Sequence, residues 1–109
     1  MAQQKIANAI GLSMKAGKCV SGDFSVEKAL KSGKLHLVLI DAAVSESTGE
    51  RYKRMCMNAG VPLHSVVELG AAIGKPARMI AGITDANFTK LIQNALEAQL
   101  RSEGINAGV

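Results

Sequence analysis

The stretch "AGKCVSGDFSVEKALKSGKLHLVLI", residues 16–40, decides the fold class, because a strand, a helix and a second strand follow one another in it directly. "KCVS" is a short strand candidate, and Gly22 opens the helix. The apolar positions of this helix are Phe24, Val26, Ala29 and Leu30. Gly33 ends the helix. "LHLVLI", residues 35–40, is apolar nearly throughout, as expected of a strand that is buried on both faces.

The rest of the chain continues this alternation. Further helices are predicted over residues 3–16, from a capping-box spacing at Ser47 and Glu50, over "ELGAAIG", and from Asp85 onward. Further strands are predicted around residues 63–67 and over "RMIAGIT". The apolar face of the terminal helix would consist of Phe88, Leu91, Ile92, Ala95, Leu96 and Leu100.

Short connections between these elements favour an α/β fold, a three-layer α/β/α sandwich with a small mixed sheet. Residues 1–109 are expected to form a single domain with its core within about residues 3–100. The C-terminal tail "SEGINAGV" is expected to fray.

Composition argues against several functional classes. Cys19 and Cys56 stand far apart and belong to no metal-ligand spacing, so two reduced thiols and no metal or cofactor are expected. His36 and His64 are isolated, and motifs of hydrolases and metalloproteases are missing, so the chain is not expected to be an enzyme. No apolar run approaches the length of a membrane span, and residues 1–10 lack a signal-peptide core. A cytoplasmic location without membrane attachment is therefore expected.

Two glycine-lysine stretches invite comparison with the phosphate-binding loop of nucleotide hydrolases. That loop requires four residues between its glycines and a hydroxyl residue after the lysine. "LGAAIGKPAR", residues 69–78, has three residues between its glycines and Pro76 after the lysine. "GLSMKAGKCVSG", residues 11–22, has five and Cys19. Neither stretch fits nucleotide hydrolysis.

The positive charge is concentrated in the first third of the chain. Residues 1–34 contain six lysines against Asp23 and Glu27, which gives +4, whereas residues 35–109 contain seven basic and seven acidic side chains. This asymmetry favours a polyanionic partner, of which nucleic acid is the most common. A lysine-rich face that serves only solubility is the alternative.

The stretch from residue 16 to 40, followed by "ELGAAIGKPARMIAGIT", resembles the kink-turn-binding ribosomal-protein superfamily, which includes archaeal L-seven-Ae and eukaryotic L-thirty-e. The short bacterial relatives are the most similar, over roughly residues 6–92. Three linked features carry the resemblance: Gly22 before a helix containing Lys28, the strand after Gly33, and Leu69-Gly70 with Gly74 before the last strand.

The resemblance implies that structured RNA, ribosomal or other noncoding, docks on one end of the sheet without catalysis. It places contacts at the start of the second helix and in the loop before the last strand, and it suggests association with the ribosome. The predicted RNA-binding residues are Lys18, Ser21, Gly22, Asp23, Phe24, Ser25, Lys28, Lys31, Val44, Ser45, Lys75 and Arg78. The missing Cβ of Gly22 is expected to let RNA approach, and Gly22→Glu is expected to abolish binding without affecting the fold.

The chain departs from the family pattern at the positions that contact guanines. Many kink-turn binders have Asn-Glu where this chain has Phe24 and Ser25. Ser25 can still form a hydrogen bond to RNA, whereas Phe24 is compatible with a place in the core, the favoured interpretation, or with stacking on a base. RNA binding in general therefore has more support than kink-turn recognition. The rival hypothesis is a protein-interaction adaptor of the same fold that uses Phe24 and Pro76.

Overall fold

The computed structural model describes the backbone of residues 2–108 and the side chains of residues 3–101. The predicted order of helices and strands is confirmed, apart from small boundary shifts. In chain order the elements are α1 (Ala2–Lys15), β1 (Cys19–Ser21), α2 (Asp23–Lys31), β2 (Leu37–Asp41), α3 (Glu46–Ala59), β3 (Leu63–Val66), α4 (Leu69–Ile73), β4 (Ile80–Ile83) and α5 (Ala86–Gly108).

The strands form one mixed sheet in the order β1-β4-β2-β3. β4 is antiparallel to both of its neighbours, so Ala81 pairs with Ser21 on one side and with Leu39 on the other. β2 and β3 run parallel, and α3 is the crossover helix between them, as parallel pairing requires. This topology brings the ends of β1, β2 and β3 and the start of β4 to one end of the sheet.

Helices cover both faces of this sheet. The cluster beneath α1, α4 and α5 includes Ile6, Ile10, Leu37, Leu39, Leu69, Ile73, Ala81, Ile83, Ile92 and Leu96. The cluster beneath α2 and α3 includes Val26, Ala29, Leu30, Val38, Ile40, Tyr52, Cys56 and Ile80. Successive residues of β2 and β4 alternate between the two clusters, as strand geometry dictates. The predicted three-layer α/β/α sandwich in one domain is confirmed.

β2 is buried along its whole length, which confirms the prediction from its apolar sequence. The strand begins at Leu37 rather than at Leu35, and His36 is exposed instead of partly buried within the strand. Leu35 is nevertheless buried, and a Cβ at Gly82 would come within 2.7 Å of its Cδ1. Leu35 therefore packs over β4 from the connection that follows α2.

The predicted capping box of α3 is wrong. Ser45, not Ser47, is the N-cap: its extended backbone (φ −63°, ψ 153°) and its Oγ, which accepts from the Thr48 backbone N–H at 3.3 Å, fit that position. Ser47 and Glu50 have the spacing of a capping box, but the helix already begins after Ser45, so Ser47 lies inside its first turn. α3 ends at Gly60, which lies in the left-handed region at φ 70°.

The predicted apolar face of α5 differs from the structure. Leu91 and Leu100 are exposed, and only Ile92 and Leu96 of the predicted apolar face are fully buried. The buried stripe of α5 is narrower than predicted because α5 contacts mainly α1, and a single neighbouring helix covers only part of the surface of α5. The backbone of α5 is helical as far as Gly108, and the fraying expected of the tail stays a prediction.

Asp41, at the end of β2, was not singled out by the sequence. Its carboxylate is buried and accepts two backbone N–H groups, with Oδ1 at 2.8 Å from the Leu69 N and Oδ2 at 2.8 Å from the Ala43 N. One contact satisfies the first N–H of α4, and the other fixes the turn that leads toward α3. Asp41 thus ties together two segments at the same end of the sheet.

Gly70 and Gly74 shape the connection from α4 to β4. Gly74 caps α4 in the left-handed region at φ 74°. Gly70 is buried against the next loop, where a Cβ would lie 2.7 Å from the Pro76 carbonyl oxygen and 2.9 Å from the Lys75 carbonyl oxygen. The two glycines therefore bring residues 75–78 close over the short helix.

Gly70→Ala is expected to lower the melting temperature by roughly 4–12 °C, because backbone atoms rather than a flexible side chain must move. Gly49→Ala, inside α3, is the control: its Cβ would be 3.9 Å from Cγ1 of Val44, an ordinary contact, so added helix propensity should stabilise the protein slightly. Thermal denaturation followed by circular dichroism checks both. A Gly70→Ala variant as stable as the wild type would contradict the close packing of this loop.

Candidate functional site

A groove of about 400 Å³ opens at the end of the sheet where β1 and β2 finish and β4 begins. We call it the Gly22–Arg78 groove, and its lining consists of Gly22, Asp23, Val44, Ser45, Thr48, Ala77, Arg78, Met79 and Ile80. These residues come from three separate segments of the chain. The structure therefore brings together the start of α2, the connection before α3 and the loop before β4.

Gly22 has a backbone conformation that only glycine adopts readily, with φ 94° and ψ 146°. Its N–H donates to the Ile80 carbonyl oxygen at 2.9 Å, which fixes the start of α2 against β4. A Cβ at this position would collide with Nη1 of Arg78. The space above Gly22 is thus filled by the Arg78 side chain, and the approach of RNA to Gly22 stays a prediction.

The start of α2 has free donors. Gly22 has no side chain, and no side chain in the described range caps this nine-residue helix. The first N–H groups of a helix have no partners within it, and together with the helix dipole they favour an anion. The guanidinium of Arg78 lies beside the same helix end. This end of α2 therefore combines backbone donors with a cation.

Asp23 is held from the side of α3. Tyr52 donates its hydroxyl hydrogen to Oδ1 of Asp23, and Arg51 pairs through Nη2 with Oδ2. The second nitrogen of Arg51, Nη1, is 2.8 Å from Oε1 of Glu27. The hydrogen bond from Tyr52, with a smaller contribution from Arg51, lowers the pKa of Asp23. Burial and the same hydrogen bond raise the pKa of Tyr52. The carboxylate thus has an internal role that the sequence did not reveal.

Tyr52→Phe is expected to lower the melting temperature by roughly 4 °C at pH 7, because one hydrogen bond to a charged partner is lost while the ring stays buried. The folded-state pKa of Asp23 is depressed, so its contribution to stability is present above the unfolded pKa of about 4 and is lost as pH falls. The difference between the two proteins should therefore narrow toward pH 3. Thermal denaturation at pH 7 and pH 3 measures this. If the two melting temperatures differ by the same amount at pH 7 and pH 3, the hydrogen bond from Tyr52 does not depend on the charge of Asp23.

Phe24 is 81% exposed, so the favoured expectation that it belongs to the core is wrong. The buried residues of α2 are Val26, Ala29 and Leu30. At 100° per residue, Phe24 lies opposite their mean direction, and Lys28, four residues later, shares its outward face. Phe24 was assigned to the core from its hydrophobicity alone, whereas the helix period places it in solvent. Ser25 is exposed beside it.

Lys31 and Lys18 lie away from the Gly22–Arg78 groove. Lys31 is in the last turn of α2, where its ammonium pairs with Glu27 at 3.3 Å, as the spacing predicted. Lys18 precedes β1, and its carbonyl accepts from the Thr84 N–H at the opposite end of the sheet. Lys18 and Gly22 are four residues apart along an extended strand, about 13 Å. The expectation that Lys18 lies at the same end is therefore wrong.

The other predicted contacts lie at or near the groove. Val44 is half-buried and lines it, and Ser45 lines it with a hydroxyl that already serves α3. Ser21 is half-buried at the end of β1. Lys75 and Arg78 are exposed on the loop before β4, where the Arg78 N–H donates to the Lys75 carbonyl oxygen at 2.9 Å. Within residues 3–101, neither of these cations forms an ion pair.

The cysteines do not form a reactive or metal-binding site in the described range. Cys19 and Cys56 are both buried and unpaired, and burial raises the pKa of each thiol. Lys75, rather than the adjacent Lys18, is the cation that partly opposes this effect at Cys19. No cluster of three or more histidine, cysteine or acidic residues occurs there. Among these residues there is also no helix long and apolar enough to cross a bilayer.

A second open groove, of about 500 Å³, lies at the opposite end between the last turns of α2 and α3. We call it the distal groove, and its lining consists of Leu30, Lys31, Gly33, Leu35, Met55, Asn58, Ala59 and Val61. This lining is mainly apolar and contains a single cation, Lys31, which is already paired with Glu27. The lining of the distal groove therefore contains no unpaired cation and no helix start, whereas the Gly22–Arg78 groove is lined by Arg78 and by the start of α2.

Comparison with known proteins gives a consistent result. Residues 4–93 match the model of the ribosomal protein L7Ae/L30e/S12e/Gadd45 family. The chain is 34% identical over 98 residues to the RNA-binding protein YlxQ of Enterococcus faecium, with 87% of this chain and 94% of that protein covered. It is 32% identical over 91 residues to the RNA-binding protein YlxQ of Bacillus subtilis strain 168, with 81% and 91% covered.

Solved structures agree on the fold. A protein of unknown function from Bacillus halodurans superposes with a TM-score of 0.80 at 27% identity, covering 85% of this chain and 97% of that one. The 15.5 kD RNA-binding protein of Giardia lamblia superposes with a TM-score of 0.71 at 18% identity, covering 89% and 86%. The latter likeness supports the fold alone.

Proposed function

Because the chain belongs to the ribosomal protein L7Ae/L30e/S12e/Gadd45 family, we propose that it binds structured RNA at the Gly22–Arg78 groove. The RNA would be a kink-turn or a similar internal loop in ribosomal or other noncoding RNA. Binding involves no catalysis or cofactor, takes place in the cytoplasm and is compatible with association with the ribosome. The two YlxQ relatives are RNA-binding proteins, and the excess positive charge of residues 1–34 fits the same class of partner.

The observation that carries the proposal is the placement of Arg78 over Gly22. The guanidinium lies beside the uncapped start of α2, so a phosphate at this point meets a fork of N–H donors, free backbone N–H groups and the positive end of the helix dipole. Lys75 on the same loop and Lys28 on the outward face of α2 add two exposed cations. Such an arrangement binds a phosphate backbone rather than a neutral surface.

Ser25, Ser21 and Val44 complete the proposed contact surface without adding charge. Ser25 is exposed in the first turn of α2 and offers a hydroxyl to a base or a ribose. The carboxylate of Asp23 is already bonded to Arg51 and Tyr52, so its contribution to binding is to hold the start of α2 in place. Lys18 and Lys31 would contact only an RNA that extends along the molecule beyond the groove.

The experiment compares three RNAs across a salt series: a kink-turn hairpin, the same hairpin with its tandem G·A pairs replaced by Watson–Crick pairs, and total RNA. The proposal predicts that affinity for the kink-turn falls steeply with salt and is reduced by the replacement. Equal, salt-sensitive binding to all three would retain RNA binding and reject motif recognition. An absence of binding at low salt would overturn the proposal.

The rival function is a protein-interaction adaptor. Phe24 and Pro76 are both exposed near the groove, and an apolar partner surface would cover them. Because apolar burial responds little to moderate salt, the same titration separates the hypotheses. A partner protein that stays bound at high salt, together with no RNA affinity, would favour the adaptor.

A further inference from the structure

Phe24 is exposed in a way that core packing does not explain. The chain contains three aromatic residues. Tyr52 is fully buried and Phe88 packs against the core, but 81% of Phe24 is exposed. A large aromatic ring left in water at the rim of a binding groove marks an interaction site rather than a folding element.

The backbone beneath Phe24 is fixed. Gly22, two residues earlier, is hydrogen-bonded to β4, and Asp23, the preceding residue, is bonded to Tyr52 and Arg51 of α3. The ring therefore projects from a rigid first turn instead of a loose loop. A pre-positioned ring loses little conformational entropy when a partner covers it.

The charges around Phe24 indicate what covers it. Lys28 lies on the same outward face one turn further along α2, and Arg78 flanks the start of the helix on the groove side. An exposed ring on a helix that has one cation a turn further along and another at its start matches a nucleic acid strand, in which bases alternate with phosphates. A hydrophobic protein segment would have to bury these charges without compensation.

We propose that Phe24 is a stacking platform for an unpaired base, so that the RNA recognised by this chain presents a bulged or splayed nucleotide beside a helical backbone. This inference rests on the proposed function and deepens it. Phenylalanine has no donor or acceptor and therefore cannot read the edge of a paired base, but its face stacks on any base that has left its own stack. Lys28 and Arg78 hold the flanking phosphates.

The test uses two hairpin RNAs that differ only in a single bulged 2-aminopurine, one with the bulge and one fully paired. Four proteins are compared at low salt: wild type, Phe24→Leu, Phe24→Trp and Lys90→Ala as an exposed control on α5. Leucine keeps an apolar side chain without an aromatic face, and tryptophan keeps the face. Affinity is measured by titration, and 2-aminopurine fluorescence reports stacking directly.

The wild type should bind the bulged hairpin more tightly and change the 2-aminopurine fluorescence. Phe24→Leu should lose roughly 5- to 150-fold on the bulged hairpin and nothing on the paired one, and Phe24→Trp should restore binding. If wild type and Phe24→Leu bind both hairpins equally, with strong salt dependence, the stacking role is wrong while RNA binding stands. If the wild type binds neither of these hairpins but binds the kink-turn hairpin, the stacking role is wrong while RNA binding stands, whereas binding to none of the three RNAs overturns both proposals.

Discussion

Replacing Lys75 and Arg78 together by glutamate is expected to weaken RNA binding by roughly 100-fold or more, with little change in melting temperature. Each removed cation forfeits a charge-assisted hydrogen bond worth about 1.5–3 kcal/mol, and each new carboxylate repels phosphate. Both side chains are exposed, and neither forms an ion pair in the described part of the chain, so the fold loses no partner. Filter binding or fluorescence anisotropy with the kink-turn hairpin measures the loss.

Arg54→Glu with Lys90→Glu is the matched control. Both residues are exposed, on α3 and α5 away from the groove, and the double variant has the same net charge as the Lys75 and Arg78 double variant. A purely long-range charge effect would weaken both proteins equally. The Gly22–Arg78 groove instead predicts that only the first variant loses about two units from the slope of log affinity against log salt. Equal losses in the two variants would contradict a localised site.

Gly22→Glu is expected to reduce RNA affinity by roughly 100-fold or more and, contrary to the expectation from the sequence, also to destabilise the fold by about 1–3 kcal/mol. The positive φ of 94° strains any other residue, and the new Cβ must push the Arg78 guanidinium aside. The carboxylate then occupies the place where a phosphate would bind. Titration with the kink-turn hairpin and thermal denaturation measure the two effects separately.

Gly22→Lys separates strain from charge. Lysine imposes the same backbone strain and the same displacement of Arg78 but adds a cation, so its melting temperature should match that of Gly22→Glu while its RNA affinity is higher. Normal RNA binding by Gly22→Glu would show that the contact surface lies elsewhere.

Local patterns in the sequence were sufficient to predict the architecture. The nearly unbroken apolar run of β2 predicted a strand buried on both faces, and Gly33 marked the end of α2 because a left-handed residue commonly follows a helix. These signals are local, so they can be recognised without knowing what packs against them. The α/β/α arrangement followed from the alternation of such elements.

The contacts that organise the groove are not local, and the sequence did not predict them. Asp41 bonds to Leu69, and Asp23 bonds to Arg51 and Tyr52, across separations of 28 or 29 residues. Nothing near Asp41 distinguishes a carboxylate that caps a later helix from one in solvent. The i,i+4 pair of Glu27 and Lys31 was predictable, but the second partner of Glu27, Arg51, was not.

Two predictions about the site were wrong because they did not take into account where the helix or strand directs each residue. Phe24 was favoured for the core because it is apolar, although the helix period turns it away from Val26 and Leu30. Lys18 was included among the RNA-binding residues, although an extended strand separates it from Gly22. The helix period, applied to Phe24, and the rise per residue of a strand, applied to Lys18, would have predicted both positions correctly.

The most direct test of RNA binding at the Gly22–Arg78 groove is amide mapping by nuclear magnetic resonance, with labelled protein titrated with the kink-turn hairpin at low salt. Binding there predicts large shifts or broadening at Gly22, Phe24, Ser45 and Arg78 and little change around the distal groove, at Gly33 and Asn58. Perturbation confined to the distal groove, with Gly22 and Arg78 unchanged, would contradict it.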